Sequence, residues 1–210
     1  MVIGPSGSGK STSLRNIPSA EYGLIEVNGK ALPFRSDKKF VSTDQYPQIK
    51  TLLSNMKQNI GIIDDSQYLM ANEFMRRATE KGYDKFNDIG MAFWDLVRSI
   101  EKLPREKIVY FLHHSDVDQY GTVSAKSIGK MLTEKISIEG MFTIMLRAGK
   151  QDGRYYFTTQ SDGLDPVKTP MEMFKDQQID NDLWLVDKVI RDFYGLGKAE
   201  VASAKPKSLI

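Results

Sequence analysis

The chain has 210 residues, 29 Lys+Arg against 27 Asp+Glu for a formal net charge of +2, 40% hydrophobic and 27% charged residues, and no cysteine. These proportions exclude a fully disordered chain and suit one globular domain. The lack of cysteine removes disulfides, thiolate metal sites and cysteine nucleophiles, no apolar run approaches the roughly 18 residues of a membrane span, no signal-peptide pattern opens the chain, and the near-balanced charge leaves any nucleic-acid contact to local patches.

The first motif is Gly4-Pro5-Ser6-Gly7-Ser8-Gly9-Lys10-Ser11, followed by Thr12, which matches the G-x-x-x-x-G-K-[ST] phosphate loop. Gly4, Gly7 and Gly9 allow a tight turn whose successive N–H groups converge on phosphate oxygens, and the helix that follows presents its N-terminus to the same anion. Lys10 is expected to reach the β- and γ-phosphates of ATP, and the Ser11 hydroxyl to ligate Mg²⁺. Only Met1, Val2 and Ile3 precede Gly4, fewer than the five or six residues of a typical strand. A truncated first strand is therefore expected, or else a strand at an exposed sheet edge.

Beyond the loop, residues 11–17 read as a short helix stopped by Pro18, and residues 22–27 as a strand that carries Glu26 and ends in the turn Asn28-Gly29. Residues 39–43 suggest a further short strand. After Pro47, the residues Ile49, Leu52, Leu53 and Met56 form one apolar helical face. Ile60-Gly61-Ile62-Ile63 is then a short apolar strand that ends in Asp64-Asp65. A carboxylate at that place holds the Mg²⁺ shell. Asp64, next to the apolar run, is assigned to the metal and Asp65 to orienting the attacking water, with the exchange of roles left open.

Residues 67–81 read as a helix, and Phe86, Ile89, Phe93, Leu96 and Ile100 mark the clearest amphipathic helix, whose aromatic stripe is assigned to core packing. Residues 107–112 form a buried strand that ends at His113-His114, on the side where α/β sheets bind ligands. These histidines either sense the γ-phosphate and transmit its loss, or are satisfied by local hydrogen bonds. Residues 140–147 read as a strand, joined through Asp152-Gly153 to a second one at residues 155–159. Leu183, Val186, Ile190 and Phe193 give a last helix closed by Gly195, and residues 196–210 are expected to be a disordered tail. Alternating strands and helices after a phosphate loop predict an α/β fold with a mainly parallel sheet, right-handed crossovers and a C-terminal antiparallel hairpin.

The chain lacks the N-K-x-D motif of guanine-reading switch proteins, the arginine-bearing lid of small-molecule kinases and the helical lid of AAA+ loaders. Its phosphate loop, the string Val27-Asn28-Gly29-Lys30-Ala31-Leu32-Pro33-Phe34-Arg35 and the string Ile63-Asp64-Asp65-Ser66-Gln67-Tyr68-Leu69-Met70 resemble the phage-encoded RecA-like ATPases of the single-strand annealing group. So do Ser127-Ile128-Gly129-Lys130-Met131-Leu132, Tyr156-Phe157-Thr158-Thr159-Gln160 and Lys168-Thr169-Pro170-Met171. The similarity covers residues 1–195 as one RecA-like ATPase domain. It implies an ATP- and Mg²⁺-dependent protein of the host-cell cytoplasm that binds single-stranded DNA and pairs complementary strands in phage recombination. It further implies a homo-oligomer, ring or filament, with a single-strand-binding protein as a possible partner and no membrane association. An AAA+-type helicase loader and a nucleotide-gated regulatory module are the rival readings.

The resemblance also suggests roles for further residues. Glu26 competes with Asp65 as the water-activating acid, and His113 stands where small hydroxyl residues are common. DNA contact would fall on the polar segment 115–139 through Tyr120, Lys126, Lys130 and Lys135, since basic side chains neutralise phosphates and an exposed ring stacks on a base. Lys150, Arg154, Tyr155 and Tyr156 make a second, weaker basic and aromatic cluster. Lys168 would reach a neighbouring subunit's γ-phosphate, with Arg147 as the other possible cation.

Overall fold

Apolar residues in successive positions along the strands decide the layering. Val2 and Ile3, Leu24 and Ile25, Ile62 and Ile63, and Tyr110 and Phe111 are all buried, and neighbours in each pair join different core clusters. Side chains alternate across a strand, so a sheet with such pairs must be covered on both faces. The computed structural model, which describes residues 1–196, has this arrangement.

In chain order the elements are β1 (Val2–Gly4), a 3₁₀ turn (Ser11–Leu14), β2 (Tyr22–Glu26), β3 (Val41–Ser42), α1 (Tyr46–Asn55), β4 (Ile60–Asp64), α2 (Tyr68–Arg76) and α3 (Asp84–Ile100). They continue with β5 (Ile108–Val117), β6 (Val123–Ala125), β7 (Leu146–Gln151), β8 (Arg154–Thr158), β9 (Gln178–Asp180) and α4 (Leu183–Tyr194). The sheet runs β3-β2-β4-β5-β1-β7-β8-β9, with β6 paired to the extension of β5. From β3 to β7 along this order every pairing is parallel, whereas β5–β6, β7–β8 and β8–β9 are antiparallel. The fold is thus α/β, with a mostly parallel mixed sheet flanked by four α-helices among the described residues.

On one face, Ile49, Leu53, Leu69, Ile89, Phe93 and Leu96 from α1, α2 and α3 pack on Ile3, Ile25, Ile63 and Phe111. On the other, Leu183, Val186 and Ile190 of α4 join Leu14 over Val2, Ile62 and Leu112. Burying each such aliphatic side chain contributes about 1.5–3 kcal/mol. The stripe on α3 is core, as its spacing predicts. Asp182 caps α4 by accepting from the N–H groups of Trp184 and Leu185, and Gly195 closes it in the left-handed region at φ 63°. No helix among the described residues is long and apolar enough to cross a membrane.

Several expectations are corrected. β1 is short, but it lies at no edge: β5 and β7 pair with it on either side and its three residues are buried. The strand expected at residues 140–147 begins at Leu146, because Ile138–Met141 forms a 3₁₀ turn and Phe142 packs edge-on against Phe111, 5.3 Å between ring centroids. Conversely, β5 runs on to Val117 and turns back as β6, within the segment expected to be loop. The helix at residues 11–17 is a single 3₁₀ turn, and β9 adds an edge strand that residue pattern did not reveal. The Asp152-Gly153 hairpin is present, with both residues at positive φ as a tight two-residue turn requires. The tail expectation concerns residues that, from 197 onward, lie outside the described range.

Candidate functional site

The parallel strands end together, and the loops leaving β1, β2 and β4, with His114 of β5 and Tyr155 of β8, surround a cleft of about 270 Å³. The phosphate loop leaves β1 and forms its floor. Here glycine is a steric necessity: a Cβ on Gly4 would stand 2.5 Å from Ser8 Oγ and 2.8 Å from the Ala148 carbonyl oxygen. Gly9, at φ 94°, could not carry one without meeting the Tyr155 ring at 2.6 Å.

Lys10 is buried and donates from Nζ to the carbonyl oxygens of Gly4 at 2.8 Å and Pro5 at 2.9 Å. Burial lowers its pKa to about 8, against the pull of Asp65 and Asp64. Its partners are neutral, so an incoming phosphate would find an ammonium group that no carboxylate has claimed. Within the same loop, Ser8 Oγ is buried without a hydrogen-bond partner.

Opposite the loop stand three acids. Asp64 ends β4 at 2% exposure, and burial raises its carboxyl pKa, with the neighbouring Asp65 adding to the rise and the Ser11 side chain opposing it. Glu26 ends β2 in register with Asp64 and is equally buried. Burial raises its pKa as well, although Glu26 Oε2 accepts from the Lys30 backbone N–H at 2.5 Å. Asp65 differs from both. Burial pushes its carboxyl up, but His114, Lys30 and Asn28 outweigh that and hold it well below the usual range. Lys30 Nζ lies 2.8 Å and Asn28 Nδ2 3.1 Å from Asp65 Oδ2, and His114 Nε2 lies 3.1 Å from Oδ1. Asp65 also has φ 56°, a left-handed conformation costly for a residue with a side chain and typical of functional sites.

The two histidines part company, as adjacent strand residues must. His114 lines the cleft and packs edge-on to Tyr68. His113 is fully buried and does not line it: Nε2 donates to the Lys126 carbonyl at 2.8 Å, and Nδ1 accepts from Ser66 Oγ at 2.9 Å. Burial lowers its pKa to about 4, which keeps the ring neutral and suits this bonding pattern. Of the two histidines only His114 lines the cleft; His113, the one expected to act there, is buried and ties the acidic turn to the segment after β6.

Lys168 is exposed and far from this chain's own loop. Its backbone pairs with Met145, just before β7, and its charge is felt by the amino group of Met1. It therefore stands at the amino ends of β1 and β7, the end of the sheet opposite the cleft. Arg147 pairs with Asp165 at 3.3 Å. Tyr120 is 78% exposed at the tip of the β5–β6 hairpin. Lys126 and Lys135 are exposed on the segment that follows, and Lys130 pairs with Glu134 at 3.2 Å. The four candidate DNA residues thus occupy one surface segment outside the cleft, continuous through β5 with His114.

Lys30 and Tyr155 line the cleft, and Asn28 bonds Asp65 behind it, without having been assigned to it from sequence. The only signal was a polar turn after a strand for Lys30 and Asn28, and an aromatic residue beside a hairpin turn for Tyr155. The donor set for a divalent cation is small: among the described residues no group of three or more His, Asp or Glu side chains forms a cage. Ser11 beside a buried carboxylate nevertheless fits Mg²⁺, which binds through one or two protein ligands and fills its octahedron with phosphate oxygens and water. No protein-family model and no curated protein matches the chain.

Proposed function

We propose that the protein is a Mg²⁺-dependent ATPase with a RecA-like P-loop core that acts on single-stranded DNA and promotes the annealing of complementary strands, as phage recombination requires. One observation carries the ATPase reading: Lys10, Ser11, Asp64, Asp65 and Glu26, from three separate segments, line a single cleft. The loop N–H groups and Lys10 bind the phosphates, and Ser11 and Asp64 hold the cation. When bound, Mg²⁺ neutralises charge on the phosphate oxygens.

The two candidate acids for activating water are separated by their surroundings. A general base works best with a pKa near the working pH. Burial moves Glu26 in that direction, whereas Asp65 is held strongly ionised by three donors. Glu26 is therefore the base in this scheme, and Asp65 fixes Lys30 and His114 around the reacting end. The DNA-directed part rests on the family resemblance and on the exposed hairpin with Tyr120, joined through β5 to His114. Oligomer assembly supplies a partner phosphate for Lys168, which approaches none in its own chain.

The test is ATP hydrolysis with and without single-stranded DNA across a salt series, with Lys10→Ala as control. Hydrolysis stimulated by DNA, with a stimulation that fades as salt rises, is the expected result. A Lys10→Ala protein that still binds and hydrolyses ATP normally would overturn the site. Hydrolysis indifferent to DNA would point to a nucleotide-gated module that works through a protein partner.

A further inference from the structure

The lateral order of the strands gives the cleft a direction. In the sequence β4-β5-β1-β7-β8, the acids at the end of β4 lie to one side of the phosphate loop and Tyr155 of β8 lies to the other. If the terminal phosphate meets Asp64, Asp65 and Glu26, the triphosphate runs along the loop and its nucleoside must leave on the Tyr155 side. On that side the cleft is lined by an aromatic ring: Tyr155 is the only Phe, Tyr or Trp that lines it among the described residues. We infer that Tyr155 forms the nucleobase subsite of this cleft, the ring serving as a stacking platform beside the phosphate loop. The inference rests on the reading of residues 4–11 as a triphosphate site.

Three observations fix Tyr155 in that role rather than in the basic and aromatic surface cluster to which its sequence neighbours assign it. Its ring is seated on the phosphate loop itself, so close to Gly9 that a single added carbon would stand 2.6 Å from Cδ1. Its position is set by the tight Asp152-Gly153 turn and by the β7–β8 ladder, where it pairs with Lys150. Lys150 Nζ lies 4.9 Å from the ring centroid, a cation–π contact that steadies the ring and keeps positive charge beside the place where a nucleotide would enter. Tyr156, the next residue, turns away and packs over Gly149, where a Cβ would stand 2.5 Å from Tyr156 Cζ. Of the two adjacent tyrosines, only the first faces the cleft.

A probe without a base separates this proposal from the reading beneath it. Equilibrium binding of Mg²⁺–ATP and of inorganic tripolyphosphate is measured on the wild-type protein, Tyr155→Leu, Tyr155→Phe and Lys10→Ala. Loss of one aromatic stacking partner is expected to weaken ATP binding roughly ten- to a hundredfold in Tyr155→Leu. Tripolyphosphate affinity should stay unchanged, and Tyr155→Phe should bind ATP as the wild type does. Lys10→Ala should lose both ligands. A Tyr155→Leu protein with wild-type ATP affinity overturns the base subsite, and so does an equal loss of ATP and tripolyphosphate, which would mean that the ring only supports the loop. Wild-type protein that binds neither ligand would instead overturn the phosphate site itself.

Discussion

Two buried carboxylates at opposite ends of the sheet have been treated in opposite ways. Asp187 on α4 is fully buried and fully answered: Tyr110 Oη donates to Oδ1 at 2.8 Å, and Arg191 Nε donates to Oδ2 at 2.6 Å. Arg191 in turn donates to the carbonyl oxygens of Glu106 and Asn59, so the whole cluster sits where β4 and β5 begin. Asp64, where β4 ends, is just as inaccessible, yet it has no salt-bridge partner among the described residues, and burial raises its pKa. Its oxygens are met by hydrogen bonds alone, from the Asp65 backbone N–H at 2.9 Å and from the Ser11 side chain. The difference marks Asp187 as a structural joint and suits Asp64 to the cation-holding role proposed above.

The contrast is most directly broken by removing each acid in turn. Asp187→Ala leaves the buried Tyr110 hydroxyl without its acceptor and the half-buried Arg191 without its carboxylate, and should cost about 3 kcal/mol in chemical unfolding, while the folded fraction still hydrolyses ATP. Asp64→Asn should keep or gain stability and lose hydrolysis by on the order of 10²–10³-fold, the scale for removing one electrostatic contact to a transition state. Equal destabilisation by the two changes, with hydrolysis intact in Asp64→Asn, would erase the distinction.

A third buried titratable group tests the acidic turn from behind. The His113 pKa falls from 6.5 to about 4 on folding, chiefly through burial, so the unfolded chain takes up the proton first. The stability that depends on a neutral His113 is complete above pH 6.5 and is lost as pH falls towards 4, up to about 3 kcal/mol for a shift of this size. Unfolding curves at pH 7.5 and 4.5 for the wild type and His113→Gln check this. The variant should be the less stable at pH 7.5, with the gap narrowing at pH 4.5. A gap that widens in acid would reverse the sign and remove burial as the cause.

The cleft was legible in the sequence where its chemistry is local. The phosphate loop and the acids after Ile63 are contiguous strings whose residue types follow from binding phosphate and metal, and the structure brings them together in one cleft. The amphipathic period of α3 was legible for the same reason. Sheet order was not, since periodicity says that a segment is a strand but not which strand it joins. That is why β1, too short to look central, lies between β5 and β7. The extension of β5 was hidden because its last residues, Ser115 to Val117, are half-buried or exposed and so lack a strand's apolar run. Lys30 and Tyr155 were missed because their partners, Asp65 and Gly9, are distant in the chain and meet them only after β2, β4, β1 and β8 have assembled.

Asp65 stands between the two extremes and gives the finest test. Like Asp187 it has donors of its own, but the cation among them, Lys30, has a side chain 59% exposed. So exposed a bridge contributes little to stability, and Lys30→Ala should shift unfolding by no more than about 1 kcal/mol. Its effect on turnover should be larger, because Lys30 both bonds the Asp65 carboxylate and lines the cleft. Misplacing a group beside the reacting phosphate is expected to slow hydrolysis on the order of tenfold, with ATP affinity changed less. Lys30→Arg, which keeps the charge, should recover part of the rate. The measurement is kcat and KM for ATP alongside urea unfolding. A Lys30→Ala protein that loses several kcal/mol yet turns over at the wild-type rate would place Asp65 with Asp187, as a joint of the fold, and leave Glu26 and Asp64 as the only acids that act on the nucleotide.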